Sequence, residues 1–276
     1  MSRRTTAIAA ALTVLALGSP LITGCTNPFA THYFNQGVEK YEVGNYQGAI
    51  ADWNKAIEIN PQDALAYYNR GLAKYDLGDH QGAIVDYNKA IEINPQYSLA
   101  YLNRGAAKYD LNDFQGAIAY YDKSIKINPR NGYAYFNRGL AKYDLGDHQG
   151  AIVDYNKAIE INPQHSLAYL NRGVAKYDLN DFQGAIADYD KLIKINPRNS
   201  NAYNNRGLAK SNLQDYQRAI ADYDKAIEIN SQNTNSYLNR GIAREMVNDL
   251  KGACDDWRKA ADFGLKQPAE WVKKQC

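Results

Sequence analysis

The side chains with the most reactive chemistry in this sequence are three cysteines and four histidines: Cys25, Cys254, Cys276, His32, His80, His148 and His165. No histidine has a cysteine or aspartate at the spacing of a zinc ligand set. The sequence also lacks a phosphate-binding glycine loop, a dinucleotide-binding glycine pattern and a nucleophile motif. We therefore expect no metal, no cofactor and no catalytic residue, and we expect the histidines to be solvent-exposed turn residues.

Cys25 closes a segment with the composition of an export signal. Arg3 and Arg4 precede an apolar run over residues 7–17, and small residues follow it. This order of basic and apolar regions is typical of a secretory signal. Because a bilayer-spanning helix needs about 20 apolar residues, this run is too short to span a membrane. The alternative is an uncleaved anchor helix.

Residues Leu21-Ile22-Thr23-Gly24-Cys25 resemble the lipobox of bacterial lipoproteins. The resemblance implies that residues 1–24 are a signal peptide, that Cys25 carries palmitate and other acyl chains, and that residues 25–29 are a short tether. Two or three acyl chains hold a protein on a membrane permanently. An exported, periplasmic-side location follows, with the outer membrane favoured by Thr26. The alternative is an ordinary cleavage site that contains a cysteine.

The rest of the chain repeats itself every 34 residues, a feature that takes priority over single elements. Seven copies follow one another without insertion or deletion, at residues 30–63, 64–97, 98–131, 132–165, 166–199, 200–233 and 234–267. Position 8 of each copy is glycine, position 20 is alanine, and positions 4 and 24 are aromatic. Asn-Pro at positions 31 and 32 ends the second helix in most copies. A Gly-Asp or Asn-Asp turn separates the first helix from the second. Each copy is therefore predicted to be an antiparallel helix pair.

This pattern resembles the tetratricopeptide repeat family across residues 30–267. The resemblance implies an all-α fold, an α-solenoid of seven helix-turn-helix repeats, because a single helix pair cannot bury its apolar face alone. Residues 268–276 are predicted to form a C-terminal capping helix, with Pro268 in its first turn and Lys273 near its end.

Arginine replaces the usual leucine of the family at position 7 in six copies, from Arg70 onward. Aspartate at position 23, 16 residues further along, is predicted to pair with it. Tyr120 takes the place of that aspartate in the third copy.

Cys254 and Cys276 remain as an even pair in an exported protein, which favours a disulfide. Such a bond would join the cap to the seventh repeat and contribute about 3 kcal/mol in the chain-entropy description. Two free thiols are the alternative, because sequence does not fix the separation of the two residues.

Near-identical copies argue against catalysis, because an active site needs singular residues in a singular geometry. Residues 71–96 and 139–164 are identical, and residues 98–131 differ from 166–199 at three positions. Duplicated surfaces instead form a long binding face. We therefore expect a protein-binding scaffold and not an enzyme.

In the family, positions 2, 5, 6, 9, 12 and 13 line a concave groove. Position 6 is asparagine in every copy, and its amide both donates and accepts hydrogen bonds, as a peptide backbone requires: Asn35, Asn69, Asn103, Asn137, Asn171, Asn205 and Asn239. Positions 12 and 13 add an aromatic and acidic stripe in which we predict binding: Tyr41, Tyr75, Tyr109, Tyr143, Tyr177, Asp76, Asp110, Asp144 and Asp178. The alternative is that asparagine is simply common at position 6.

The predicted ligand is an extended peptide with basic and apolar side chains. Removal of Arg3 and Arg4 from 32 basic residues leaves 30, against 30 acidic ones, so the mature chain is neutral. Nucleic acid is excluded as a partner because no basic stripe is present. We expect a monomer bound to the bilayer through Cys25. The alternatives are a self-associating structural protein and a non-catalytic accessory subunit of an envelope enzyme or assembly complex.

Overall fold

The computed structural model describes residues 27–276, so the predicted signal peptide and the lipid attachment at Cys25 lie outside the described residues. Within that range the chain forms fifteen helices and no strand. Their bounds are α1 Pro28–Glu42, α2 Tyr46–Ile59, α3 Ala64–Asp76, α4 His80–Ile93, α5 Ser98–Asp110, α6 Phe114–Ile127, α7 Gly132–Asp144, α8 His148–Ile161, α9 Ser166–Asp178, α10 Phe182–Ile195, α11 Ser200–Asn212, α12 Tyr216–Ile229, α13 Thr234–Met246, α14 Leu250–Asp262 and α15 Lys266–Gln275.

Each 34-residue repeat contributes one odd-numbered and one even-numbered helix, called here its first and second helix. The turn between them is built by a residue with positive φ, such as Gly78 at +83° or Asn112 at 60°. Asp79 then caps the second helix, because its Oδ1 accepts a hydrogen bond from the backbone N–H of Gly82 at 2.8 Å. Such caps satisfy donors that the helix leaves unpaired.

The two helices of a repeat approach closely where position 8 meets position 24. A Cβ added to Gly71 would lie 2.7 Å from Cε1 of Tyr87, and one added to Gly37 would lie 2.5 Å from Nε1 of Trp53. Tyr87 and Trp53 are fully buried. The aromatic rings therefore fill space that only a glycine leaves open.

The described chain divides into two compact units, one reaching to Gly150 and the other running from Ala151 to Cys276. In the first unit, α1, α3, α5 and α7 pack in sequence, each on the next first helix. In the second unit, α9, α11 and α13 do the same. This repeated packing confirms the predicted fold class, an all-α solenoid of helix-turn-helix repeats.

The predicted pairing of position 7 with position 23 is confirmed in four repeats. Arg70 donates two hydrogen bonds to the buried carboxylate of Asp86, from Nε at 2.9 Å and from Nη2 at 2.6 Å. Its Nη1 reaches Asn54 of the preceding repeat at 2.7 Å. Each such arginine therefore joins two successive second helices. The four confirmed pairs are Arg70–Asp86, Arg172–Asp188, Arg206–Asp222 and Arg240–Asp256.

The two ends of the described chain differ slightly from expectation. Helix α1 begins at Pro28, inside the segment predicted to be a tether, because the Asn27 side chain caps it and proline suits the first helical position. Helix α15 begins at Lys266, two residues before Pro268. Trp271 of α15 packs edge-on against Trp257, with 5.2 Å between ring centroids.

Within residues 27–276, no helix combines the length and the apolar character that crossing a bilayer requires.

Candidate binding face of the first helices

The seven asparagines predicted to bind a peptide do not share one environment. Asn35 is exposed, and the three from the fifth to the seventh repeat are partly exposed: Asn171, Asn205 and Asn239. The three between them in the chain are buried, with exposed fractions of 0% for Asn69, 3% for Asn103 and 1% for Asn137. The accessible asparagines of successive repeats therefore lie in the second unit, on α9, α11 and α13.

The buried asparagines are poorly satisfied as hydrogen-bonding groups. Asn103 donates from Nδ2 to the hydroxyl of Tyr68 at 2.7 Å, but its Oδ1 has no partner within the described part of the chain. Neither amide atom of Asn69 or Asn137 has a partner there. An unpaired buried amide costs about 1–3 kcal/mol.

The partly exposed asparagines of the second unit have local partners that hold their orientation. Asn171 donates from Nδ2 to the carbonyl oxygen of Leu167 at 2.8 Å. Asn239 donates to Oδ1 of Asn204 at 3.2 Å, and Asn204 donates to Oδ1 of Asn205 at 3.2 Å. The amides are thus fixed on the helix surface while one side remains open to solvent.

Asn204 is a residue whose importance sequence reasoning missed. It is buried at position 5, which is apolar in the other six repeats, and its Oδ1 also accepts from the hydroxyl of the buried Ser236 at 3.1 Å. The available signal was the single polar residue at that position. It links the sixth and seventh repeats through a polar cluster.

The tyrosines and aspartates of positions 12 and 13 join neighbouring repeats. The hydroxyl of Tyr41 donates to Oδ2 of Asp76 at 2.5 Å, and Tyr75 and Tyr109 donate in the same way to Asp110 and Asp144. Tyr41, Tyr75 and Tyr109 are buried. These contacts at a separation of 35 residues mean that the stripe consists of hydrogen-bonded pairs in the first unit, instead of free tyrosines facing a ligand.

Burial controls the ionisation of these pairs. Desolvation, reinforced by the hydrogen bond to Asp76, raises the pKa of Tyr41 well above its usual value. Desolvation also raises the pKa of Asp76, while the hydrogen bond from Tyr41 lowers it in part. Tyr41 is therefore a neutral hydrogen-bond donor at pH values at which an exposed tyrosine already ionises.

The series of pairs changes in the sixth repeat, where Ser211 and Asn212 occupy positions 12 and 13. Asn212 donates from Nδ2 to the hydroxyl of Tyr177 at 2.8 Å, so an amide replaces the carboxylate. Ser211 lies 3.2 Å from the hydroxyl of Tyr223. Asp144 in the first unit and Asp178 in the second are each exposed at the end of a first helix.

The histidine expectation was wrong for His165. This residue is buried, with 8% exposed, and its Nδ1 accepts from the backbone N–H of Ala168 at 3.3 Å as the cap of α9. Burial lowers its pKa. His32 is exposed, and His80 packs edge-on against Tyr75 with 5.0 Å between centroids. Across residues 27–276 no group of three His, Cys, Asp or Glu side chains is arranged to hold a metal.

Cys254 and Cys276 are joined by a disulfide in the structure, with 5.8 Å between their Cα atoms. The bond connects helix α14 to the end of α15.

The structure combines paired helices, hydrogen bonds between neighbouring repeats and a row of amides on the first helices. Together they define an α-solenoid whose surface suits protein contacts. A family model described as tetratricopeptide repeat matches residues 64–97, 98–131, 132–165 and 200–233, and one described as TPR repeat matches 37–78 and 175–214. The chain belongs to the tetratricopeptide repeat family. Proteins of this family mediate contacts between proteins.

Solved structures of the same fold share low sequence identity with the chain. YrrB, described as a TPR protein with an unusual peptide-binding site, is 22% identical, covers 67% of this chain and 95% of its own, and has a TM-score of 0.59. MamA is 27% identical, covers 60% and 96%, and has a TM-score of 0.56. The C-terminal part of a TPR repeat-containing protein from Cytophaga hutchinsonii is 18% identical, covers 86% and 98%, and has a TM-score of 0.72. No curated protein matches the chain significantly.

Proposed function

We propose that the protein is an exported, lipid-anchored adaptor that binds extended segments of other proteins along the first helices of its repeats. It has no catalytic activity of its own in this proposal, and it acts by holding partners at a membrane surface. The near-identical repeats support this function, because they multiply one surface instead of building a single reactive site.

The observation that carries the proposal is the row of oriented amides in the second unit. Asn171, Asn205 and Asn239 recur once per repeat on successive first helices, and each is partly exposed. An extended backbone presents alternating N–H and C=O groups, which primary amides match as donor and acceptor. Main-chain contacts of this kind give affinity with little dependence on the ligand sequence.

Side chains next to the amides supply the expected selectivity. Leu170, Leu208 and Leu238 are half-buried beside the asparagines and offer apolar contact. The exposed Asp178 adds negative charge at the end of α9. A segment that alternates apolar and basic side chains therefore fits this face better than an acidic one.

The anchor is proposed from the sequence around Cys25, and the structure limits how far the repeats would lie from it. Helix α1 begins at Pro28, capped by Asn27. Only Thr26 and Asn27 separate Cys25 from that helix, a span of about 10 Å when extended. The first repeat would therefore be held at the lipid headgroups, and partners would be gathered at the membrane surface.

The experiment that tests the function is affinity purification from crosslinked membranes of the native host. A variant with Asn171→Ala and Asn205→Ala is expected to lose partners that the wild type retains, while circular dichroism shows unchanged helix content. Asn88→Ala is the matched control, because Asn88 is exposed on a second helix. An identical partner list for both variants would contradict binding at the asparagines.

The same preparation separates the alternatives. A second copy of the chain as the only crosslinked species, with a dimer in light scattering, would favour self-association. Cys25→Ser is expected to release the protein from membranes without changing its partners in solution. Retention of Cys25→Ser on washed membranes would contradict the lipid anchor.

A further inference from the structure

The third repeat contains an arginine that lacks the carboxylate found beside its counterparts. Tyr120 occupies position 23, and the guanidinium carbon of Arg104 lies 3.9 Å from the centroid of its ring. Nε of Arg104 is buried and has no hydrogen-bond partner, and no carboxylate among the described residues pairs with this arginine. Desolvation lowers the pKa of Arg104, which marks a cation without a compensating charge.

The loss of the aspartate also redirects a neighbouring lysine. In the second and fifth repeats, Lys74 and Lys176 pair with the aspartate at position 23, at 2.8 and 2.9 Å. Lys108, the equivalent residue of the third repeat, pairs with Asp113 at 3.0 Å instead. Arg104 and Lys108 therefore have no carboxylate at position 23 to share.

A second substitution in the same repeat frees another cation. Lys89 in the second repeat and Lys225 in the sixth pair with a glutamate three residues later, at 2.8 and 2.7 Å. Lys126 stands at that glutamate position in the third repeat. Lys123 and Lys126 are both exposed, and neither forms an ion pair with a described residue.

We propose that Arg104, stacked on Tyr120 and assisted by Lys123, is a binding site for a carboxylate of an acidic segment in a partner protein. The ligand class follows from the chain itself. Arg172, at the same position in the near-identical fifth repeat, donates from Nε at 2.9 Å and from Nη2 to the two carboxylate oxygens of Asp188. The arginine at this position thus already holds a planar carboxylate elsewhere in the molecule.

Tyr120 has a positive role in this site. Its ring covers one face of the guanidinium and fills the place of the missing aspartate side chain. Because Nε is buried, the terminal Nη1 and Nη2 atoms of Arg104 are the donors left for an external ligand. Arginine prefers planar, two-point contact with carboxylates. Lys123 lies one helical turn from Tyr120 and adds a second donor. A phosphate group needs several donors, and a single guanidinium stacked on a ring does not supply them. The site therefore suits one carboxylate better than a phosphate.

The site is distinct from the asparagine face. Arginines at position 7 direct their hydrogen bonds to second helices, as Arg70 does with Asp86 on α4 and Asn54 on α2. Arg104 stands on the first helix α5 and stacks on Tyr120 of the second helix α6. The ligand of this site is acidic, whereas the segment proposed for the asparagine face is basic and apolar. The two proposals can fail independently.

The test is a fluorescence anisotropy titration of the full chain with a fluorescein-labelled peptide of six glutamates at low salt. Tyr120→Asp restores the residue of the fifth repeat and is expected to weaken binding by about tenfold or more, with an equal or higher unfolding temperature. Arg172→Gln is the matched control, because its arginine is already occupied, and it should leave the affinity unchanged.

A gain of binding provides a second test that does not depend on loss. The triple substitution Val174→Ala, Asp188→Tyr and Leu192→Ser copies the third repeat into the fifth, and it should raise the stoichiometry from one peptide to two. Absence of saturable binding to the wild type, or equal affinity in Tyr120→Asp, would overturn the proposal. Tighter binding of phosphorylated peptides or of anionic lipid vesicles than of the glutamate peptide would also overturn it.

Discussion

The hydroxyl of Tyr41 donates a hydrogen bond to Oδ2 of Asp76, which lies 35 residues further along the chain and one repeat away. Both residues belong to the stripe that sequence patterns predict as a ligand-binding surface. In the structure they connect neighbouring first helices. This pair and its counterparts at Tyr75 and Tyr109 give the first unit a series of polar contacts between repeats.

Replacing Tyr41 with phenylalanine should destabilise the first repeat. The change leaves the buried side of Asp76 without its donor, and the expected cost is about 1 kcal/mol in urea unfolding. Tyr177→Phe is the control: its hydroxyl accepts from the exposed amide of Asn212, so its loss should cost less. Equal destabilisation by both changes would mean that the carboxylate pairing has no special role.

Replacing Asp188 with asparagine should be more damaging. Arg172 and Lys176 both pair with this buried carboxylate, and its neutralisation leaves two partly buried cations without an anion. The expected loss is about 3 kcal/mol. Asp190→Asn is the control, because Asp190 is 48% exposed where it meets Arg206, and exposed pairs contribute less than about 1 kcal/mol. Urea suits the measurement, since guanidinium would screen both pairs.

The stability of the second unit should depend on pH through His165. Burial lowers the pKa of this side chain in the folded state, whereas the unfolded chain titrates near 6.5. Because the unfolded state binds the proton more readily, the stabilising contribution is present above about pH 6.5 and is lost as the pH falls through the folded pKa. Thermal unfolding of the wild type should therefore shift downward in mild acid.

The matched variant for this effect is His165→Asn, because Asn131, Asn199 and Asn233 cap their helices at the same repeat position. Its unfolding temperature should fall less than that of the wild type between pH 7.5 and about pH 5, across the unperturbed histidine pKa. His32→Asn, at an exposed site, should behave as the wild type. Parallel pH profiles for wild type and His165→Asn would refute the linkage.

The disulfide between Cys254 and Cys276 should protect the C-terminal helix from local opening. Cys276→Ser is expected to lower the stability of α15 by about 3 kcal/mol, since the bond closes a short loop in the unfolded chain. Hydrogen exchange of the α15 backbone amides measures this directly. Reduction of the wild type with a thiol should reproduce the result, and unchanged protection in both cases would argue against a stabilising bond.

Sequence periodicity predicted the parts of the fold that repeat at fixed spacing. Arg70 and Asp86 are 16 residues apart on the two helices of one repeat, and their pairing followed from that spacing. The close approach at Gly71 is likewise a contact within one repeat, between the glycine of position 8 and the aromatic ring of position 24. These contacts lie within one helix pair, so they depend little on how successive repeats are placed.

Contacts between repeats were harder to predict. Tyr41 and Asp76 belong to neighbouring repeats. The burial of Asn69 depends on how neighbouring helices pack, which a linear pattern does not encode. A usable signal existed for the tyrosines, because Tyr at position 12 and Asp at position 13 occur together in successive repeats and disappear together at Ser211 and Asn212. For His165, the available signal was its repeat position, because Asn131, Asn199 and Asn233 cap their helices at the same position. That pattern indicates a cap but does not encode the burial of the side chain.

The most direct test of the proposed binding face is site-specific photocrosslinking in the native host. A photoreactive amino acid at Asn201 or Asn235, both exposed on first helices of the second unit, should capture the same partner proteins. The same probe at Val153, which is 58% exposed on a second helix, should not. Crosslinks confined to Asn201 and Asn235 are the predicted result, whereas equal capture from Val153, or capture from Val153 alone, would contradict binding along the first helices.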